Sequence, residues 1–444
     1  MSMDTIFALA SGRGRAGVAV VRLSGPAAFA ALDKLTGRAR PKIRYASVRE
    51  IFALDKSYLI DEALVLLFEG PASFTGEDVV EIHLHGGPAI VEALYGELAN
   101  IPDLRVAEAG EFTRRSFEHG KLDLTEAEGI GDLVNAETHA QHQQALRQMR
   151  GELGAIYTAW RDSLIGYLAH LEADIDFPDE DLPDGVATAI APKIEALQTE
   201  MKAHLAAGFR GEKIREGLDV VILGPPNVGK SSLLNKLARR EAAIVSDQAG
   251  TTRDIVEVHL DLAGFPVTIA DTAGIREAAD KVEREGVRRA RARAEAADIR
   301  IFMSDAGTDG PAQIEFADLQ DTNSYHLINK TDLVSEDMTV EPENPRQFYI
   351  SVKTEDGLDT FLQKLEADVV ALLDVSGAPS LTRVRHRRAL EDCVQALSRF
   401  AAAPDPELAA EDIRLATRAL GRITGRVDVE DVLDVVFGDF CIGK

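Results

Sequence analysis

Residues 218–237 read LDVVILGPPNVGKSSLLNKL, and this stretch decides the fold of the central part of the chain. It contains the pattern G-x-x-x-x-G-K-[ST] from Gly224 to Ser231, with an apolar strand pattern before it and a helical pattern after it. Glycines let backbone N–H groups turn towards phosphate oxygens, Lys230 brings a positive charge to them, and the Ser231 hydroxyl suits Mg²⁺. The stretch therefore predicts a nucleotide-binding α/β domain.

Three short motifs follow this phosphate-binding loop: DTAG at 271–274, NKTD at 329–332 and SVK at 351–353. Asp271 ends a predicted strand and is suited to hold the hydration shell of Mg²⁺. The carboxylate of Asp332 can accept hydrogen bonds from the N1–H and the amino group of guanine, a donor pair that adenine lacks. Four motifs in this order and at these spacings predict a GTPase that binds GTP and GDP.

The segment between the phosphate-binding loop and DTAG includes SDQAGTTRD at 246–254, where a switch segment should supply a threonine to Mg²⁺. We assign that role to Thr252, so that the predicted magnesium ligands are Ser231 and Thr252. The predicted GTP-binding residues are Asn227, Val228, Gly229, Lys230, Ser231, Ser232, Ser246, Asp247, Gln248, Ala249, Gly250, Thr251, Thr252, Asp271, Thr272, Ala273, Gly274, Asn329, Lys330, Asp332, Ser351, Val352 and Lys353.

The composition narrows the class of protein. The chain has 444 residues, the length of two or three domains, and only two cysteines, too few for a disulfide framework. Its formal net charge of −25 argues against a broadly basic nucleic-acid-binding surface and leaves local basic patches open. The N-terminus lacks a secretory leader pattern and no apolar run reaches about 18 residues, so we expect a cytoplasmic protein without a membrane partner.

Periodicity predicts a multidomain α/β protein. Residues 1–118 mix short strands, helices and glycine turns, which is typical of an α+β domain. Residues 119–214 and 376–444 have apolar residues at three- and four-residue intervals, which predicts helices. Residues 215–375 alternate strands with helices, the pattern of a doubly wound parallel sheet. We therefore predict a nucleotide-binding domain inserted into a helical domain.

Several longer stretches resemble the bacterial tRNA modification GTPases of the MnmE family, also called TrmE, among the TrmE-Era-EngA-like GTPases. These stretches are GPPNVGKSSLLN, AIVSDQAGTTRD, DTAGIREAADKVEREG and the C-terminal CIGK, and N-terminal stretches such as FTGEDVVEIHLHGGP are also similar. The resemblance covers the whole chain. It implies an α+β N-terminal folate-binding and dimerising domain, an all-α helical domain, and a Ras-like doubly wound G domain inserted into the helical domain.

The resemblance also implies how GTP is hydrolysed. In Ras-like GTPases a glutamine after DTAG orients the attacking water, but here that residue is Ile275. Glu283 matches the water-orienting glutamate of the family, with Glu285 as the alternative, and Lys230 belongs to the predicted catalytic residues. The G domains of two subunits are expected to meet with K⁺ bound near the phosphates. The predicted K⁺ ligands are Asn227, Ser246, Gln248 and Thr251.

By the same resemblance, the N-terminal domain binds 5-formyl- or 5,10-methylene-tetrahydrofolate. The matching residues are Arg22, Glu81, Lys121 and Lys444. A carboxylate suits the N–H and amino edge of a pterin ring, and cations suit its carbonyl and glutamyl oxygens. Cys441 of CIGK is a candidate catalytic nucleophile near the folate and the uridine, and a structural tail is the alternative. His83 and His85 alternate along a predicted strand, but no third metal ligand is apparent.

The family's activity concerns tRNA. With the flavoprotein MnmG, in a heterotetramer, such a GTPase adds an aminomethyl or carboxymethylaminomethyl group to carbon 5 of the wobble uridine, U34, using a folate-derived methylene. The runner-up is a regulatory switch GTPase of ribosome assembly, which would need neither a folate pocket nor a terminal cysteine. The densest basic segment, with Arg383, Arg385, Arg387 and Arg388, is a candidate RNA or partner contact, and a solvated helix face is an equal alternative.

Overall fold

The computed structural model describes residues 4–176, 186–240, 243, 257–271, 288, 291–307, 317–334, 344–373, 379–400, 403, 405–427, 433, 436–438 and 440–443. The chain divides into two compact units, one of residues 1–131, 148–187 and 396–444, the other of residues 132–147 and 188–395. The predicted α/β multidomain class is confirmed. The domain boundaries after residues 118, 214 and 375 stay a prediction. In the described part of the chain, no helix has the length and apolarity needed to span a membrane.

The first unit contains a mixed sheet in the order β3-β4-β5-β2-β1-β6. Its strands are β1 Thr5–Leu9, β2 Ala16–Ser24, β3 Ser47–Phe52, β4 Leu59–Phe68, β5 Val79–Gly86 and β6 Leu104–Val106. Neighbouring strands are antiparallel except for the parallel pair β1 and β6. Helices α1 (Ala28–Thr36) and α2 (Pro88–Ala99) contribute to the buried core on one face of this sheet.

Strand alternation gives the two faces of this sheet different chemistry. Phe7, Val21 and Ile82 point into the core formed with α1 and α2. Their neighbours in sequence point the other way, so that Arg22 and Glu81, which lie opposite each other on β2 and β5, share the second face. Helix α3 (Glu111–Glu118) contributes Phe112, which packs against Ile6 and Ala8 on that face.

The helical periodicity of residues 125–175 predicts one long helical run, but the structure breaks it into separate helices. The helices that follow α3 are α4 Leu124–Asn135, α5 His139–Met149, α6 Glu152–Asp176 and α7 Val186–Glu216. Gly151, between α5 and α6, has a φ of +81°, a left-handed conformation that favours glycine over other residues. The absence of proline therefore did not guarantee a continuous helix.

The second unit contains the sheet predicted from the nucleotide motifs, in the order β12-β11-β10-β7-β9-β8. Its strands are β7 Leu218–Leu223, β8 Glu257–Leu262, β9 Phe265–Asp271, β10 Ile299–Asp305, β11 Ser324–Asn329 and β12 Gln347–Tyr349. All neighbours are parallel except β8, which runs antiparallel to β9. Helices α8 (Lys230–Leu237) and α9 (Leu358–Leu373) pack into its core. The carboxyl ends of these strands are where an open α/β sheet binds ligands.

Two more helices follow the second sheet in sequence, α10 Val384–Phe400 and α11 Pro406–Thr424. Helix α11 packs along α6 within the first unit. The exposed Arg414 of α11 pairs with Glu172 of α6 at 2.8 Å, a contact that adds little free energy because both groups are solvated.

Candidate functional site

The phosphate-binding loop connects β7 to α8, and two of its glycines have no room for a side chain. A Cβ atom on Gly224 would lie 2.2 Å from the carbonyl oxygen of Met303. A Cβ atom on Gly229 would lie 2.4 Å from Nδ2 of Asn329, and Gly229 also has a φ of +104°. The loop thus turns tightly against the neighbouring strands and leads directly into the N-terminus of α8, an arrangement that favours binding of an anion.

The polar side chains after this loop are held in place. Lys230 is buried, and its Nζ donates to the carbonyl oxygens of Gly224 at 2.7 Å and Pro225 at 2.8 Å. Ser231 Oγ donates to Oδ2 of Asp271, the last residue of β9, at 2.5 Å. A hydroxyl and a carboxylate in contact beside a phosphate loop fit Mg²⁺, which prefers hard oxygen ligands.

Asn329 connects the phosphate side of the cavity to the base side. It is buried at the end of β11, where Nδ2 donates to the Val228 carbonyl at 2.7 Å and Oδ1 accepts from the Val352 N–H at 3.0 Å. Val228 belongs to the phosphate-binding loop and Val352 to the SVK segment. One amide side chain therefore fixes two of the predicted nucleotide-binding loops relative to each other.

Asp332 lies at the base side of the same cavity, which has a volume of about 580 Å³. Its Oδ1 accepts from Ser351 Oγ at 2.8 Å, and Lys353 Nζ lies 3.9 Å from Oδ2. Both partners belong to the SVK segment, so the structure brings NKTD and SVK together as predicted for a guanine site. The cavity is also lined by Ser232, which was predicted, and by Asn235, Lys236 and Arg239, which were not.

The sequence also missed Asp305 at the end of β10. Its Oδ2 accepts from Lys330 Nζ at 2.6 Å, and this hydrogen bond lowers the pKa of the Asp305 carboxyl. Lys330 itself has a φ of +67°, and the ion pair fixes the direction of its side chain. No motif marks Asp305; only its position at the carboxyl end of a parallel strand could have indicated it.

Part of the predicted set lies outside the described residues. These residues are Ser246, Asp247, Gln248, Ala249, Gly250, Thr251, Thr252, Thr272, Ala273, Gly274, Glu283 and Lys444. The roles assigned to them stay predictions, as do the roles of the residues that the structure does describe. What the structure adds is the convergence of the phosphate loop, Asp271, NKTD and SVK at one edge of the second sheet.

Two of the residues predicted to bind folate form an ion pair on the second face of the first sheet. Arg22 Nη2 lies 2.9 Å from Glu81 Oε1, and His83 Nε2 lies 3.4 Å from the other oxygen of Glu81. The Arg22 guanidinium also lies near two aromatic rings, 5.6 Å from the centre of Phe74 and 5.8 Å from that of Phe112. This combination of a carboxylate edge, a cation and aromatic faces suits a flat heterocycle.

Lys121, the third such residue, is anchored to the loop that carries Phe74. Its Nζ donates to the Pro71 carbonyl at 2.9 Å. His85 Nδ1 lies 2.8 Å from Oδ1 of Asp61, and among the described residues no group of three His, Cys, Asp or Glu side chains could hold an ion.

The C-terminal tail is docked on the first unit. Ile442 forms a β-bridge with Ala109, and the carbonyl of Cys441 accepts from the Gly110 N–H at 3.5 Å. Gly443 has a φ of +106°, and a Cβ there would lie 2.1 Å from the carbonyl oxygen of Leu9. The Cys441 thiol is exposed.

The other cysteine, Cys393, has a different environment. It is fully buried in α10, and burial raises the pKa of its thiol to about 12. Cys393 is therefore a structural thiol.

Two arginines of the basic segment at the start of α10 form ion pairs within the second unit. Arg383 Nη2 lies 2.8 Å from Asp132 Oδ1, and Arg387 Nε donates to Glu212 Oε1 at 3.1 Å. Asp132 also accepts from Arg215 Nε at 3.1 Å. Arg383 and Arg387 therefore pair with carboxylates of their own unit, and the contact of the segment with RNA or a partner stays a prediction.

Two family models match the chain. The model described as GTP-binding protein TrmE N-terminus matches residues 5–121, and the model of the MnmE helical domain matches residues 124–441. Together they cover the first sheet, the helices and the nucleotide cavity, and the second model ends at Cys441 of the docked tail.

Full-length relatives agree with the family models. The chain is 55% identical over 446 residues to tRNA modification GTPase MnmE of Parvibaculum lavamentivorans, with 100% of both chains covered. It is 47% identical over 461 residues to the human mitochondrial 5-taurinomethyluridine-[tRNA] synthase subunit GTPB3, covering 99% of this chain and 93% of that one. Among solved structures, Aquifex aeolicus Era Y63A bound to GDP·AlF4⁻ is 25% identical with a TM-score of 0.28, covering 42% of this chain and 68% of that one.

Proposed function

Because the chain belongs to the MnmE family of tRNA modification GTPases, we propose that it hydrolyses GTP and takes part in modifying the wobble uridine, U34, of certain tRNAs. The observation that carries this proposal is the cavity that Asn329 and Asp332 line together with Asn227 and Gly229 of the phosphate-binding loop. Relatives with this activity match the chain along its whole length. The phosphate-binding loop and Cys441 belong to different units of the chain, so in this proposal GTP hydrolysis supplies a conformational change and not the uridine chemistry.

Nucleoside analysis of tRNA tests this function. Cells that lack the protein should lose the carbon 5 substituent of the wobble uridine, and the wild-type gene should restore it. A gene that encodes Asp271→Asn should not restore the modification, because a neutral amide then replaces the carboxylate beside Ser231. Wild-type amounts of the modified nucleoside in the deletion strain would refute the function, whereas a defect of ribosome assembly without loss of modification would favour the switch GTPase.

We further propose that Arg22, Glu81 and Lys121, with Lys444, hold a tetrahydrofolate derivative. The Arg22–Glu81 pair beside two aromatic rings supports this role. The bound folate would supply the one-carbon unit, and Glu81 would orient the pterin through its N–H and amino edge. Calorimetry with 5-formyl-tetrahydrofolate should show weaker binding to Glu81→Gln and unchanged binding to Glu50→Gln, an exposed carboxylate on β3. Equal binding to both variants would exclude the assigned role.

Hydrolysis is proposed to need K⁺, with Asn227, Ser246, Gln248 and Thr251 as its ligands and Glu283 as the group that orients water. Asn227 has a φ of +62° in the phosphate-binding loop, a conformation that asparagine tolerates. Replacing K⁺ by Na⁺ should slow hydrolysis substantially. Glu283→Ala should lower the hydrolysis rate with little loss of GTP affinity, and the same effect in Glu285→Ala alone would identify the other carboxylate.

The proposed assembly is a homodimer through the N-terminal domain that joins MnmG in a heterotetramer and acts on tRNA in the cytoplasm. Val48 and Leu64 lie opposite each other on β3 and β4, and their side chains are 63% and 37% exposed, an apolar pair that supports a contact with a second copy. Sedimentation should show that Val48→Lys weakens the dimer while Val134→Lys, an exposed valine on α4, does not. A wild-type chain that sediments as a monomer would contradict the dimer.

A further inference from the structure

A second cavity, of about 770 Å³, lies in the first unit between the loop 11–17, the start of α2 and the C-terminal tail. Leu9, Ala19 and Val91 are among its apolar lining, and Arg13, Glu92, Tyr95 and Cys441 are among its polar lining. Cavities of this size commonly hold a small molecule or one nucleotide, with apolar walls and a few polar groups that set orientation. The proposed folate and GTP sites leave this cavity unassigned.

The cavity lies on the α2 face of the first sheet. Leu9 and Tyr95 pack against the core that α1 and α2 form with this sheet. Arg22 and Glu81 point to the opposite face. A pterin oriented by the Arg22–Glu81 pair therefore lies on the other face of the sheet from Tyr95, which leaves the second cavity open to a different ligand.

The rim of the cavity attracts anions although the chain as a whole is acidic. The loop 11–17 reads SGRGRAG, and Arg13 and Arg15 are both exposed. Within the described part of the chain, neither of these two arginines forms an ion pair. Cβ atoms built on the three glycines of the loop would meet nothing within 4 Å, so the space around the arginines is open. The N-terminus of α2, whose Pro88 also lines the cavity, adds the positive end of a helix dipole.

The base of this loop is fixed while its tip is open. Ser11 Oγ accepts from the Val20 N–H at 3.1 Å, and the Ala10 N–H donates to the Val20 carbonyl at 2.7 Å. The Leu9 N–H donates to Tyr95 Oη at 2.5 Å, which fixes the ring of Tyr95 beside the apolar wall. Arg13 thus lines a preformed cavity, and Arg15 lies two residues further along the same loop.

We propose that this cavity receives one pyrimidine nucleotide of single-stranded RNA, whose flanking phosphates contact Arg13 and Arg15. The inference rests on the proposed function, since tRNA is the RNA that the family modifies. The base would lie between Leu9 and Val91 with Tyr95 at its edge, and the Glu92 carboxylate would accept from N3–H of uracil. Cytosine has no hydrogen on N3, so the same carboxylate disfavours it. This placement puts the exposed Cys441 thiol beside the base.

A crosslinking experiment on the full chain tests the location. The probe is an anticodon stem-loop RNA with 4-thiouridine at the first anticodon position, irradiated with the protein and analysed by mass spectrometry of the linked peptides. Crosslinks are expected within 11–17, at the start of α2 or at residues 441–442. Crosslinks confined to other segments, or no binding of this RNA by the wild-type protein, would overturn the proposal.

A salt titration tests the two arginines. For single-stranded RNA each phosphate contact contributes about 0.7 to the slope of log K against log salt, so Arg13→Gln/Arg15→Gln should reduce that slope by about 1.4. The matched control is Arg38→Gln, an exposed arginine that pairs with Glu50, and it should keep the wild-type slope. An unchanged slope in the double variant, or an equal reduction in the control, would contradict the assignment.

Specificity provides an independent readout that also separates this site from the proposed function. Glu92→Leu should reduce the preference for the RNA with uridine over the same RNA with cytidine at the first anticodon position. Loss of wobble modification in the deletion strain tests the function alone, whereas the crosslinked peptides and the salt slope test this cavity alone. If complemented cells contain the modified tRNA but the crosslinks lie in other segments, the proposed function stands and the proposed RNA site in this cavity is wrong.

Discussion

Asn329 offers the sharpest test of how the nucleotide cavity is built. The substitution Asn329→Ala removes the only side-chain atoms that connect the Val228 carbonyl to the Val352 N–H in the bonds described above. Both valines are buried, so each backbone group would lose its partner where water enters with difficulty. The two loops should then open independently, even before any nucleotide binds.

The expected magnitude follows from these two hydrogen bonds. Leaving one buried backbone donor or acceptor unpaired costs about 1–3 kcal/mol, so the pair amounts to about 2–6 kcal/mol. Because the cavity beside Asn329 is open to water, we expect the lower part of this range, about 2–3 kcal/mol. A loss of this size raises the population of the open SVK segment, and with it the rate of hydrogen exchange there, by about 30- to 150-fold.

Hydrogen exchange at the Val352 amide in nucleotide-free protein measures this opening directly, without a contribution from contacts between Asn329 and the base. The control is Asn323→Ala, in a turn before β11, for which exchange at Val352 should stay at the wild-type rate. If exchange in Asn329→Ala stays within threefold of wild type, Asn329 does not hold the two loops together.

Three further outcomes are expected. A maleimide reagent at neutral pH should label one thiol of the folded protein, and Cys441→Ser should abolish the labelling, because Cys393 is buried with its pKa raised to about 12; labelling that persists would show that Cys393 is accessible. Asp332→Asn should weaken GTP binding by about 30-fold or more and improve binding of xanthosine triphosphate, whose O2 accepts from the new amide, as competition assays would reveal. Burial lowers the pKa of His204 to about 4, below the 6.5 of an unfolded chain. The buried His204 therefore costs no stability above pH 6.5, and its protonation lowers the free energy of unfolding as the pH drops from 6.5 to 4. His204→Gln should remove about 1–3 kcal/mol of that loss in acid denaturation experiments, and an identical pH profile in wild type and variant would exclude it as the cause.

The sequence predicted those parts of the fold whose signals are local. The phosphate-binding loop, the strand before it and the helix after it follow from one short pattern, and β10 and β11 are apolar runs of the length that a buried strand needs. Strand β3 was missed because SVREIF has only a single buried residue, Ile51, and no regular alternation. The division of 124–176 into α4, α5 and α6 was missed because apolar spacing does not report the backbone conformation at Gly151.

Contacts between distant residues escaped prediction for a different reason. The pairs Lys330–Asp305 and Arg383–Asp132 join residues that are far apart in sequence, and a charge pattern does not specify its partner. Only the folded structure shows that Arg383 and Arg387 of the basic segment pair with carboxylates of the second unit. For the proposed folate residues, the sequence identified both partners but not their contact. Arg22 and Glu81 were named from separate stretches, and the register of β2 and β5 places them opposite each other.

The docked tail has a consequence for a chain that is truncated before residue 441. The cavity on the α2 face is built from residues that are far apart in sequence, since 9–19 and 88–95 leave the ribosome long before 441–442. The nucleotide cavity, in contrast, uses residues 227–353, which leave the ribosome earlier. A chain that stops before residue 441 therefore keeps every residue of the nucleotide cavity, but one wall of the other cavity is missing. With the two proposed sites, such a product would keep the residues that bind the nucleotide and lose part of the site that receives the RNA, so the docked tail would link the two activities.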